Sequence, residues 1–166
     1  MPVHRREKGF TLIEAIAILI VLGILAAIAF SRMTTGDISL RAQAEALKSH
    51  IRYAQLRAMN ADADTTTNPN CESSFGISTS GTAYFLFKNC DTTSRVILPG
   101  AENDSISLPS GMTLNATATN VTFDKWGEPC LDLNGTNLAT ANIGLTLSYA
   151  GQPEPITITK NTGFVP

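Results

Sequence analysis

The sequence predicts an α+β fold: a long N-terminal helix, apolar in its first half and amphipathic in its second, packed on an antiparallel β-sheet head. Three observations lead there. From Phe10 to Phe30 only Thr11 and Glu14 are clearly polar. No proline stands between Pro2 and Pro69, and Leu40, Ala44, Leu47, Ile51, Ala54 and Ala58 recur at the three- and four-residue spacing of one helix face. After Ala63 the chain turns rich in Thr, Ser, Asn and Gly, with short β-prone runs between turn signals.

The apolar run comes first. A helix over residues 10–30 is about 31 Å long at 1.5 Å per residue, close to the hydrocarbon thickness of a bilayer. Arg5, Arg6 and Lys8 precede it, so the positive-inside rule places residues 1–9 in the cytoplasm and the remainder beyond the inner membrane. Charge follows the same order: residues 1–9 carry a net +2, residues 10–63 a net +1, and residues 64–166 a net −5. An ordinary cleaved secretory signal is the competing reading, with Ala26-Ala27-Ile28-Ala29 as its small-residue site, but the apolar run exceeds the 7–15 residues usual there. Glu14 stands at the start of the run, where a carboxylate costs a few kcal/mol unless it finds a partner. Either it reaches the headgroup region, or it pairs with a positive group on a neighbouring subunit.

The amphipathic segment, residues 31–63, is expected to carry the helix onward as a stalk. A single helix over about residues 11–62 is roughly 78 Å long. Gly23 and Gly36 are its expected soft points, and Arg41 with Glu45 an i,i+4 surface pair. The stripe at 40–58 is expected to dock on the sheet. In the head, residues 64–166, strands are predicted at Phe75–Ile77, Ala83–Phe87, Arg95–Leu98, Met112–Asn115, Asn120–Phe123, Ile143–Tyr149 and Ile156–Thr159. About 100 residues, with the helix stripe added, suffice for a core.

Three cysteines are too few for a disulfide-dense scaffold. If the first hairpin centres between Ser80 and Gly81, Ile77 faces Tyr84, Phe75 faces Leu86, and Cys71 faces Cys90 at a distance that suits a disulfide. Cys130 is then free; Cys71–Cys130 and Cys90–Cys130 are the alternatives.

Other chemistry is thinly represented. The net charge of −2 argues against a nucleic-acid binder as a whole-chain reading. His4 and His50 are the only histidines, which leaves the serines near Gly81 without a base and the cysteines without a histidine co-ligand. Asp124, Glu128, Asp132 and Asn134 cluster around Trp126-Gly127 and are of the type that binds calcium, but their spacing is not that of an EF-hand loop, and a solvated acidic loop is the plainer reading. Sequons such as those at Asn115 and Asn120 are expected by chance in such a composition. No phosphate loop or nucleophile elbow is present, and neither an enzyme activity, a cofactor nor a metal site is expected.

Lys8-Gly9-Phe10-Thr11-Leu12-Ile13-Glu14 followed by an apolar run resembles the processing signal of type IV pilins and type II secretion pseudopilins. The resemblance covers about residues 5–30. It implies a pilin-like fold, cleavage by a prepilin peptidase between Gly9 and Phe10, and N-methylation of Phe10. It also implies a role for Glu14, which in that family contacts the N-terminal amine of an adjacent subunit during assembly. A buried carboxylate and a buried ammonium are each costly alone and tolerable together. Many members carry a proline where this chain has Ser31. Residues 47–59, the stretch Val121–Asp124 with Gly127 and Pro129, and the ending Ile156–Thr159 with Thr162–Val165 resemble H-type minor pseudopilins and, most of all, minor pilins of the mannose-sensitive haemagglutinin type. The implied protein is a filament subunit of the bacterial inner membrane with a periplasmic head, which then passes into a pilus or pseudopilus beside other such subunits. The alternative, a minor pilin that captures DNA, meets a −5 head and a C-terminal tail with Lys160 as its one basic group.

Overall fold

In the computed structural model the described residues are 11–32, 35–62, 66, 68–72 and 75–166, with side chains 29–32 and 35 outside the description. The chain divides into two compact units, Met1–Thr35 and Gly36–Pro166. The first contains helix α1, Leu12–Arg32, which runs through Gly23 without a break. The second begins with helix α2, Thr35–Met59. Met33 and Thr34, where one continuous rod was expected to pass, lie outside the described residues.

All six positions of the predicted stripe on α2 are buried, with Leu47 and Ala54 fully so. A 3.6-residue repeat puts them on one side of the helix, and they share a single core with residues from two antiparallel sheets. The helix stops at Met59 because Asn60 closes it: the Asn60 side-chain amide donates to Leu56 O at 2.7 Å and its backbone N–H to Arg57 O. Gly36 is no soft point. Tyr149 lies against it so closely that any Cβ there collides with the ring. The Arg41–Glu45 pair does not form either; Glu45 takes Lys48 instead, at 2.9 Å.

Where one sheet was expected, the head has two. The larger holds β1 (Phe75–Thr79), β2 (Ala83–Lys88), β3 (Asp91–Val96), β6 (Asn120–Phe123) and β7 (Pro129–Cys130) in the order β3-β2-β1-β6-β7, with β4 (Ile106–Ser107) pairing the start of β2. The smaller holds β5 (Met112–Ala116), β8 (Ile143–Tyr149) and β9 (Gln152–Ile158) in the order β5-β8-β9. Ile143, Leu145 and Leu147 face the core while Gly144, Thr146 and Ser148 are only half-buried, as the alternation predicts. Predicted strand three moves from Arg95–Leu98 to Asp91–Val96, with Leu98 buried just beyond the strand. Two-residue strands β4 and β7 are too short to leave a period in the sequence.

The first hairpin pairs Ile77 with Leu86 and Thr79 with Tyr84, so its centre lies between Gly81 and Thr82, one position later than predicted. The expected Ile77–Tyr84 and Phe75–Leu86 pairs do not form. A shift of two in partner number leaves each side chain on its predicted face, and Tyr84 and Leu86 are both fully buried. The Cys71–Cys90 disulfide forms nonetheless, with a Cα–Cα distance of 5.7 Å. Its geometry is not that of facing strand residues. Lys88 pairs with Asp91 around a two-residue turn, Asn89-Cys90, in which both residues have positive φ. The bond therefore ties this hairpin tip to the loop before β1.

Candidate functional site: the N-terminal helix and its surroundings

The sequence fixes how α1 begins. Thr11 caps it: Glu14 N–H donates to Thr11 O at 3.1 Å and to Thr11 Oγ1 at 3.4 Å, and Ala15 N–H to Thr11 O at 3.2 Å. Thr11-Leu12-Ile13-Glu14 has the Thr-x-x-Glu spacing of a capping box, a signal legible in the sequence and not used in reading it. Glu14 sits in the first turn, where a carboxylate complements the positive end of the helix dipole. It borders a shallow apolar groove with Ala17, Ile18, Val21 and Leu22, a single helical face.

Every described side chain from Thr11 to Ile28 is exposed. Leu12 is 79% exposed and Ile13 76%. A helix that is apolar all round and buries nothing of itself needs lipid or other helices around it. A Cβ added to Gly23 meets nothing within 4 Å, so no contact among the described residues explains that glycine. Among the described residues, no helix is long and apolar enough to cross a membrane. The segment expected to do so, residues 10–30, extends beyond the described side chains at both ends. Gly9 and Phe10, the predicted cleavage and methylation residues, also lie outside them.

Residues 4–30 match the family model of the prokaryotic N-terminal methylation motif. The chain carries that motif. It supports a place among type IV pilins and pseudopilins and points to a structural subunit rather than an enzyme. The motif implies processing by a prepilin peptidase, attachment to the membrane and assembly with other subunits. Comparison with curated proteins and with solved structures found no match.

In the head, Asp124, Asp132 and Asn134 spend side-chain oxygens on the fold, and Glu128 contributes its backbone N–H. Asp124 Oδ1 accepts the backbone N–H groups of Trp126 and Glu128 at 2.9 and 2.8 Å. Asp132 accepts from the Thr136 hydroxyl and from Thr136 and Asn137 N–H. Burial works against its charge, but those donors hold its carboxyl below the usual range. Asn134 Oδ1 accepts from the Asn68 side chain at 3.1 Å. These groups close two turns, and no group of three or more His, Cys, Asp or Glu among the described residues is arranged to hold a metal ion. Cys130 is free and fully buried, its thiol donating to Gly135 O at 3.4 Å. Burial first, then the charges of Asp124, Asp132 and Glu128, push its pKa up to about 12. Such a thiol is inert, which suits a chain whose other two cysteines are oxidised.

Sequence reasoning missed the polar fastening of the C-terminal tail. Arg52 donates from Nε and from its terminal nitrogen to Val165 O at 3.1 and 2.8 Å, and Val165 is fully buried. Gln55 Nε2 donates to Gly127 O at 2.9 Å and Thr162 O at 2.7 Å. His50 Nδ1 meets the buried Tyr84 hydroxyl at 2.9 Å. Arg52, one residue after Ile51, lies off the apolar face and Gln55, four after it, at the edge of that face, and nothing local marks their distant partners.

Proposed function

We propose that this chain is a structural subunit of a type IV pilus or of a type II secretion pseudopilus, made as a membrane-anchored precursor. A prepilin peptidase cuts between Gly9 and Phe10 and methylates the new amine of Phe10. The helix over residues 10–30 then holds the chain in the inner membrane with the head in the periplasm. On assembly it leaves the lipid for a bundle of like helices. Glu14 sets register there by pairing with the Phe10 ammonium of an adjacent subunit. The sequence resemblances to minor subunits favour a low-abundance role in starting or capping the filament.

The observation that carries the reading is the methylation motif over residues 4–30, which takes in most of α1 with its all-round apolar exposure. The Cys71–Cys90 disulfide supports an oxidising compartment for the head.

The deciding measurement is the mass of the N-terminal peptide of protein taken from native membranes. A chain that starts at Phe10 with one extra methyl group is the expected result. A chain that still starts at Met1, in cells with an active prepilin peptidase, overturns the reading. Glu14→Ala is expected to leave cleavage intact and to reduce incorporation into the filament at least tenfold, since a buried ammonium left alone costs several kcal/mol. Normal incorporation of that variant removes Glu14 from its role.

A further inference from the structure

Apart from the two-residue β4, the described strands that stand at sheet edges are β3, β7, β5 and β9. Three of them are covered or broken up. In β5 the Leu114 amide donates to Gly81 O at 2.7 Å and the Met112 amide to Pro109 O at 3.0 Å. Beside β7 runs the segment that follows it: Leu131 N–H donates to Asn137 O and Ala139 N–H to Pro129 O. β3 slips its register with β2 between Asp91 and Arg95, and the Asp91 carboxylate takes the Thr93 N–H at 2.8 Å. Cover, bulges and edge charges keep a strand from templating another chain.

β9 has none of these. No strand among the described residues pairs with its outer side. Its seven residues run in unbroken register against β8, which makes it the longest of these edges. The turn sets which amides face outward. Ala150 and Gly151, both at positive φ, join Tyr149 to its partner Gln152. In such a two-residue hairpin the flanking pair exchanges both backbone bonds, and every second pair does so after it. Gln152, Glu154, Ile156 and Ile158 therefore turn their amides to β8, and positions 153, 155 and 157 face outward. The far side of β8 agrees: Gly144, the partner of Thr157, gives its carbonyl to Thr117 N–H at 2.9 Å, away from β9.

Two of the three outward positions are Pro153 and Pro155, both exposed. Proline has no N–H to give. The edge keeps its carbonyls and retains one outward amide, that of Thr157, where a ladder needs donors and acceptors in alternation. We propose that Pro153 and Pro155 close this edge against strand addition, and that β9 with its amides restored is a self-association surface for a second copy of this chain. An antiparallel copy of the same edge is the fitting partner, because each strand's donors then meet the other's acceptors. Such a pair is two-fold and closes on itself. It holds whether or not the chain enters a filament.

The test compares full-length chains in detergent, by size distribution at rising protein concentration and by amide hydrogen exchange. Pro153→Thr/Pro155→Thr restores both donors on strand-forming residues and is expected to raise the dimer fraction about fivefold over the unaltered chain. The amides of residues 153, 155 and 157 are expected to exchange about tenfold more slowly in that dimer than in the dispersed variant. Pro153→Lys/Pro155→Lys loses the same two prolines but puts charge on the edge, and is expected to stay at the size of the unaltered chain. Pro155→Thr alone, with one donor restored, is expected to give an intermediate dimer fraction, and it decides by the same criteria if the double variant does not fold. A threonine variant that stays at the unaltered size overturns the proposal. Equal association of the threonine and lysine variants also overturns it, since the prolines would then act on the fold and not on the edge. Association without slowed exchange at residues 153–157 places the contact elsewhere and overturns it too.

Discussion

Helix α1 and the head solve the same problem in opposite ways. α1 leaves Leu12, Leu19 and Ile20 exposed by more than half of their surface. The head closes the α2 stripe, both sheets and Val165 into one core whose large side chains are at most a few per cent exposed. At about 25 cal/mol per Å2 of apolar area removed from water, the head is stabilised by its own burial, whereas α1 gains nothing until something else covers it. The head is a folded object in itself; α1 is an apolar surface that the described residues leave uncovered.

That contrast is broken most directly by equal truncations in the two regions. Leu47→Ala removes a fully buried side chain and is expected to cost the head about 3 kcal/mol, read as a lower urea midpoint of the full chain in detergent. Ile20→Ala in α1, where the side chain is 58% exposed, is expected to leave that midpoint unchanged and to act only on incorporation into filaments. An equal loss of head stability from both variants would mean that α1 is part of the head's fold.

Next in size comes the disulfide. It joins residues 19 apart in sequence, and closing a loop of that length constrains the unfolded chain by about 3 kcal/mol. The Cys71→Ser/Cys90→Ser pair is expected to lower the urea midpoint of the head by that equivalent, and a reductant to do the same to the unaltered chain. Cys130 being buried and protonated, a Cys130→Ser variant is expected to leave the sensitivity to reductant unchanged.

The disulfide also shows what the sequence could yield. The spacing pairs Cys71 with Cys90 through a hairpin centred one residue too early. The bond forms all the same because Cys90 turns a corner instead of continuing β2, and a two-residue turn brings it back over the loop that holds Cys71. The apolar stripe of α2 and the alternation of β8 were legible because each is one-dimensional: a period in the chain maps onto a face. Arg52 on Val165 O, Gln55 on Gly127 O and the division into two sheets were not, because each depends on which distant segment arrives beside it. The roles proposed for Gly9, Phe10 and Glu14 rest on a signal of a different kind: the methylation motif over residues 4–30 is a linear pattern, so it is carried by the order of residues itself.

A third test asks whether the tail belongs to the same object as the core. Arg52→Ala leaves the carbonyl of a fully buried residue without its charged donor, which is expected to cost about 2 kcal/mol. Arg52→Lys, which offers a point charge in place of a planar two-nitrogen fork, is expected to recover only part of that. Release of the tail with no change in the global midpoint would instead make residues 159–166 a separately melting strap, detected as early hydrogen exchange at the Thr159 and Gly163 amides, both of which are bonded in the native head.

The smallest expected effect is on pH dependence, and its sign follows from burial. Tyr84 is completely enclosed between α2 and the sheet, and burial pushes its pKa from 10.0 up to about 12. The folded chain therefore keeps the phenol proton at a pH where the unfolded chain has lost it. Stability from this group is complete below pH 10 and is lost as pH rises from about 10 to 12; the Cys130 thiol, raised from 9.0 to about 12, adds a loss that begins near pH 9. Tyr84→Phe separates the two. It forfeits the hydroxyl that meets His50 Nδ1 at 2.9 Å, and is expected to be less stable at pH 7 by about 1 kcal/mol. Above pH 10 it is expected to fall less steeply than the unaltered head, because it has no phenol to ionise. Urea midpoints measured between pH 8 and 12 decide the matter: identical slopes for the two proteins would mean that Tyr84 reaches water in the folded head, and that the joint between α2 and the sheet is looser than its packing implies.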